Sequence, residues 1–101
     1  MFSSEPDISI IKEGQLQIAV EVKGGIDTSG VLERVGAAIK SLKRAKEENA
    51  ITILIMQGAA FSSKAQKDIE LSKDVIDYFF LFEKMIAEEE TREDFFRLLN
   101  F

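Results

Sequence analysis

The chain has no cysteine and no histidine among its 101 residues. Without thiols there is no disulfide framework and no thiolate metal site. Without imidazole, the Ser-His-Asp and Cys-His triads, the histidine-based zinc-hydrolase motifs and histidine acid–base catalysis are all excluded. Any chemistry must run on carboxylates, lysines and a metal held through oxygen. No apolar run approaches the roughly 20 residues that a spanning helix needs. Residues 1–10 lack the basic region and long apolar core of a secretory signal. The expectation is a cytoplasmic protein without membrane association. Repeats, low-complexity tracts and linkers are absent as well.

What remains is a balanced composition, 46% apolar and 31% charged, which fits one soluble globular domain over residues 1–101. At this size only about 60–70% of the unfolded surface is buried on folding, so such a domain is marginal without a partner. The net charge is −5, and the acid is unevenly placed. Residues 1–50 carry 7 basic and 8 acidic side chains, residues 51–101 carry 6 and 10. A protein that coats nucleic acid is basic, so this balance argues against simple electrostatic binding to DNA. It leaves room for an enzyme that reaches DNA through a local basic strip and a metal.

Residues 7–12 and 15–23 both alternate and are rich in β-branched side chains, which predicts two strands around a Gly turn. A three-residue loop, Lys12-Glu13-Gly14, puts Gly14 where a left-handed backbone is required. In that register Ile11 faces Gln15, Ile10 faces Leu16, Ile8 faces Ile18 and Asp7 faces Ala19. One face then carries Ile8, Ile10, Leu16, Ile18, Val20 and Val22. The other carries Asp7, Ser9, Gln17, Ala19, Glu21 and Lys23. A two-residue loop would separate Asp7 from Glu21 onto opposite faces. Gly24-Gly25 ends the second strand. A helix is expected from about Ser29 to Glu48, with Asp27, Thr28 or Ser29 as N-cap and Leu32, Val35, Ile39 and Leu42 as its stripe. Residues 51–57 form a nearly continuous apolar run, which predicts a buried strand parallel to 15–23 through a helical crossover. After a loop from Gly58, Ser62 or Ser63 can cap a long helix from about Lys64 to Glu88. Its stripe is Leu71, Val75, Tyr78, Phe82 and Met85, and further apolar residues occupy its other sides. So wide an arc exceeds what a three-stranded sheet can cover, so part of it is expected to form an oligomer interface. Thr91-Arg92-Glu93-Asp94 is expected to open a last short helix anchored by Phe95, Phe96, Leu98, Leu99 and Phe101.

One constellation carries chemistry. Pro6-Asp7 is followed, after thirteen intervening residues, by Glu21-Val22-Lys23. This is the pattern of the PD-(D/E)XK nucleases. A hard cation such as Mg2+, with Mn2+ as substitute, takes carboxylate and carbonyl oxygens. Asp7 and Glu21 on one face of neighbouring strands supply two carboxylates, and the Val22 carbonyl supplies a third oxygen. Lys23 emerges on the same face as Glu21, where it can orient or help to deprotonate an attacking water. The metal polarises the phosphate and acidifies that water. Glu-x-Lys on a strand is also common as a solvated face with a cross-strand charge pair. Gly24-Gly25 allows close approach of a phosphate backbone, or simply marks the end of a strand.

The segments Val20-Glu21-Val22-Lys23-Gly24-Gly25-Ile26-Asp27 and Glu33 to Leu42 resemble the C-terminal catalytic part of type II restriction endonucleases of the XcyI kind. The resemblance covers roughly residues 5–60 and, more loosely, the Phe-rich helices. It implies an α/β fold: a truncated restriction-endonuclease-like core (β-hairpin, crossover helix, parallel strand) over 5–60, followed by C-terminal helices over 63–101. It also implies Mg2+-dependent cleavage of double-stranded DNA by a homodimer on a palindromic site. Asp7 and Glu21 match the metal-binding acids, and Lys23 matches the catalytic lysine. Arg34 and Lys40 lie in the matching helix, where they can contact DNA phosphate or serve as a solvated face. With Asp7 only six residues from the start, the family's first helix, first strand and most of its DNA-recognition region are expected to be absent. Two further readings follow from that departure: a non-catalytic, nuclease-derived dimerisation or binding module, and a subunit completed by a separate N-terminal chain.

Overall fold

The computed structural model describes residues 6–24, 31–58 and 63–99. The elements run β1 (Ile8–Lys12), β2 (Gln15–Lys23), α1 (Val31–Glu47), β3 (Ile51–Met56), α2 (Ser63–Leu71), β4 (Tyr78–Leu81), α3 (Phe82–Ala87) and α4 (Glu89–Leu99). The strands form one four-stranded mixed sheet in the order β1-β2-β3-β4. The hairpin pair is antiparallel, and β3 is parallel to β2 and to β4. The expected core of hairpin, crossover helix and parallel strand is present, and helices follow it at the C-terminal end.

The hairpin reaches the expected pairing of faces by a different route. Lys12 pairs with Gln15, so the loop is two residues, not three. Glu13 (φ 54°) and Gly14 (φ 78°) both adopt positive φ, as a type I′ turn requires. The register then shifts: Ile11 pairs with Leu16, but Ile10 pairs with Ile18. Gln17 is the extra residue of a β-bulge. The bulge restores the parity that a two-residue loop alone would lose, and the observed partners are Ile8 with Val20 and Ser9 with Ala19. Leu16 consequently leaves the Ile8 face and packs on the opposite side of the sheet.

Each face of the sheet has its own core. On one side Ala19, Leu54 and Met56 pack against Val35, Ala38, Leu42 and Ala45 of α1 and Ala65 of α2. On the other, Ile18, Val20, Ile53 and Ile55 pack against Phe95, Leu98 and Leu99 of α4, with Met85 of α3. β3 is covered on both sides, which explains its unbroken apolar run. At the end of α1, Asn49 is left-handed (φ 64°). The Ala50 N–H donates to the Ala45 carbonyl (3.2 Å) and the Asn49 N–H to the Lys46 carbonyl (2.9 Å), a Schellman ending.

The long helix expected from Lys64 to Glu88 is not formed. α2 ends at Leu71, and after the turn around Ser72 the residues 78–81 become β4. The open side of β3 is the reason: its backbone N–H and C=O groups need partners. An aromatic Tyr-Phe-Phe run suits a strand better than a helix. The side chains of Thr52 and Asp77 then fix the two strands at their start. The Asp77 carboxylate accepts the Thr52 N–H (2.9 Å) and a bond from Lys46. The Thr52 hydroxyl donates to the Val75 carbonyl. Strand geometry also divides the apolar surplus that looked like one wide helical arc. Phe79 turns to the α1 side and Phe80 to the α4 side, while Leu71, Tyr78, Phe82 and Ile86 of the same arc stay exposed. α4 begins at Glu89, ahead of the expected cap at Thr91, and Arg92 instead donates to the carbonyls of Met85 (3.0 Å) and Ile86 (2.6 Å) at the end of α3. Of the expected anchors Phe95 is buried, Leu98 and Leu99 are half-buried and Phe96 is exposed. Phe101, the proposed caps of α1 and Ser62 lie outside the described residues, as does the side chain of Ser63.

Candidate functional site

The hairpin brings the two acids together. One step beyond the Ile8–Val20 pair, Asp7 stands level with Glu21. There the ladder continues through side chains. The Asp7 N–H donates to Glu21 Oε2 (3.0 Å), and the Val22 N–H donates to Asp7 Oδ2 (2.8 Å). Each carboxylate is thus held by the other strand's backbone. Lys23 shares their face by strand alternation. Its Nζ lies 3.4 Å from Glu21 Oε1 and 3.8 Å from Asp7 Oδ2, so the ammonium bridges the pair.

The three groups differ in their access to solvent. Glu21 is 4% exposed, whereas the Asp7 side chain is 44% exposed. Burial pushes the Glu21 carboxyl above its ordinary pKa, and the neighbouring Asp7 charge pushes it the same way. Lys23 and the Asp7 N–H act against this without cancelling it. The site therefore holds a carboxylate that a cation would relieve.

The Val22 backbone borders the two carboxylates, its N–H donating to Asp7 Oδ2. The Gln57 N–H bonds to the Lys23 carbonyl (3.0 Å), which turns the Lys23 peptide towards β3. Backbone directions alternate along a strand, so the Val22 carbonyl turns the other way, to the side where Asp7 stands. Its side chain lies on the opposite face and is 42% exposed.

The donor set suits a small hard cation. Mg2+ is commonly held by one or two carboxylates, with water and phosphate oxygens completing its octahedron. Asp7, Glu21 and the Val22 carbonyl are all oxygen donors. Among the described residues no third acidic side chain joins the two carboxylates. Arg34 and Lys40 both fall in α1; Lys40 is exposed, and the Arg34 side chain is outside the described residues. The space above Gly24 is taken by Gln57, whose Oε1 lies 2.6 Å from where a Cβ would stand; Gly25 is outside the described residues.

One neighbour escapes a motif search. Ser41 on α1 donates through Oγ to Glu21 Oε2 (3.3 Å). Val35, Ala38, Leu42 and Ala45 form the buried face of α1, and Ser41, 5% exposed, is the polar residue among them. A serine on an otherwise apolar helix stripe is the signal that marks a buried polar partner.

No described helix is long and apolar enough to cross a membrane. The model of the family described as XcyI restriction endonuclease matches residues 1–99. No curated protein and no solved structure matches the chain.

Proposed function

The chain belongs to the XcyI restriction endonuclease family, and we propose that it is a Mg2+-dependent endonuclease domain that hydrolyses phosphodiester bonds of double-stranded DNA in the cytoplasm. The observation that carries this reading is the meeting of Asp7 Oδ2 and Glu21 Oε1 at Lys23 Nζ, on adjoining strands and one face.

In this reading Asp7, Glu21 and the Val22 carbonyl hold the ion, and Mn2+ substitutes for it. The bound metal supplies charge to polarise the phosphate and to acidify a water. The residues of the chain do the rest. Asp7 and Glu21 are fixed by backbone donors before substrate arrives, which removes reorganisation from the reaction. The Lys23 ammonium, on the same face as both carboxylates, would orient the attacking water and offset the negative charge that builds on the phosphoryl oxygens. Lys40 and Arg34 on α1 contact the DNA backbone and contribute no sequence discrimination.

The proposal includes a homodimer. Among the described residues β4 pairs on one side only, and an open apolar edge invites a second copy. Tyr78, at 44% exposure, and Phe82, at 40%, stand on or beside that edge. Light scattering at high protein concentration should report twice the chain mass; a clean monomer rejects this part.

For the reaction, millimolar Mg2+ or Mn2+ is expected to raise the melting temperature, and Asp7→Asn to abolish the rise. Nicking of supercoiled plasmid should fall about 100-fold or more in Lys23→Ala, the scale of a lost proton-transfer or charge-stabilising group. Nicking that survives Lys23→Ala removes Lys23 from the mechanism. Absence of both the thermal shift and nicking leaves a non-catalytic, nuclease-derived module.

A further inference from the structure

We infer that Ser41 is a positioning residue for the metal-binding acids: its hydroxyl locks one oxygen of Glu21 so that the other is presented to the cation. The inference rests on the proposed metal role of Glu21. Its basis is the division of labour between the two carboxylate oxygens. Glu21 Oε2 accepts from the Asp7 N–H at 3.0 Å and from Ser41 Oγ at 3.3 Å. Glu21 Oε1 faces Lys23 Nζ at 3.4 Å, the ammonium that also approaches Asp7 Oδ2. Two donors on one oxygen define the rotation of the carboxylate plane. With Oε2 occupied, Oε1 is the oxygen left facing the Lys23 ammonium, and it is the one that would be offered to a cation.

The two donors come from different parts of the fold. The Asp7 N–H belongs to the start of the hairpin, at β1. Ser41 belongs to α1, at a position whose neighbours on the same face are Ala38, Leu42 and Ala45, all buried against the sheet. α1 is thereby held to the sheet by apolar packing, and through Ser41 it also reaches the site directly. Groups that fix the orientation of a metal ligand from outside the coordination sphere carry about 10- to 100-fold in metal affinity. A hydroxyl on a buried carboxylate is of that kind, because no water replaces it when it is removed.

The test is Mn2+ binding by the whole chain, measured by calorimetry in the absence of DNA. Ser41→Ala is expected to weaken Mn2+ about 10-fold or more, and Ser41→Thr, which keeps the hydroxyl, to bind within about three-fold of the parent. Plasmid nicking by Ser41→Ala should recover at raised Mn2+, with turnover at saturation little changed, since the hydroxyl acts through Glu21. Equal binding by the parent and Ser41→Ala overturns the inference while leaving the metal site standing. Equal loss in Ser41→Ala and Ser41→Thr also overturns it, because packing and not the hydroxyl would then be responsible. If the parent itself binds no Mn2+ and Glu21→Gln changes nothing, the metal role of Glu21 fails, and this inference fails with it. A melting temperature taken alongside separates loss of fold from loss of ligand orientation.

Discussion

Placing a carboxylate inside a protein beside a second carboxylate costs free energy, and Glu21 bears that cost at 4% exposure with Asp7 next to it. The folded chain holds the Glu21 proton more tightly than the unfolded chain does. The contribution of Glu21 to stability is therefore greatest below the ordinary value of 4.5 and declines as pH rises through the raised folded value. Glu21→Gln keeps an oxygen acceptor for the Asp7 N–H and removes the charge. It is expected to raise the melting temperature at pH 7 by several degrees, about 1 kcal/mol being worth 4–8 °C in a domain of this size. It should also flatten the decline above pH 4.5. A melting curve for Glu21→Gln at or below the parent at neutral pH contradicts this. Asp77 acts in the opposite sense. Burial alone would raise its pKa, but the Lys46 ammonium and the Thr52 N–H outweigh it and hold the group below 3.8. Its contribution is present above that value and disappears as pH falls through the lowered one. Asp77→Asn should cost about 1–3 kcal/mol at pH 7, the scale of a hydrogen-bonded charge, by urea unfolding. One carboxylate thus secures the fold, while the other weakens it. At this scale Asp7, Glu21 and Lys23 are legible in the sequence because side-chain spacing on a strand has period two. Ser41 is not, because its meaning depends on which strand its helix covers.

Among the elements, the hairpin shows how a correct outcome can rest on an incorrect local picture. Alternation from Leu16 to Val22 is unbroken, so nothing in the pattern marks the bulge at Gln17. Leu16 is apolar and finds a core on either face, which is why the bulge leaves no trace in hydrophobicity. The turn is more explicit, since Gly14 at φ 78° occupies a conformation that a β-carbon disfavours. Nothing lies within 4 Å of where that β-carbon would be, so the strain would be confined to the backbone. Gly14→Ala should therefore cost about 1–2 kcal/mol in urea unfolding. Because the turn is at the far end of the hairpin from Asp7, Mn2+ affinity should not change; a loss of metal binding in Gly14→Ala would mean that the register itself had slipped. The segment 64–88 fails as a helix for a different reason. Its apolar residues satisfy a helical spacing and also contain an aromatic run that satisfies a strand, and short apolar runs do not choose between the two.

For the molecule as a whole, two cores on opposite faces of one thin sheet make each helical layer indispensable. Phe95, 7% exposed, anchors α4 over β2 and β3 and meets Phe80 edge to face at 5.7 Å. Phe95→Ala should cost about 3–5 kcal/mol, a large share of the roughly 5–15 kcal/mol that stabilises a domain. The expected result is an early urea transition and binding of a hydrophobic dye before global unfolding; a dye-silent, parent-like transition would mean that α4 contributes little. The sequence by itself determined the hairpin, the crossover helix, the buried parallel strand and the Asp7, Glu21, Lys23 constellation. These follow from periodicity and spacing within short stretches, where neighbouring residues constrain each other directly. The tertiary structure alone decided that residues 78–81 form a strand, that a bulge corrects the hairpin's parity and that Ser41 meets Glu21. Each of these depends on a partner outside its own segment, an unpaired edge of β3, the facing strand's register or a buried carboxylate, and local propensity has no information about any of them.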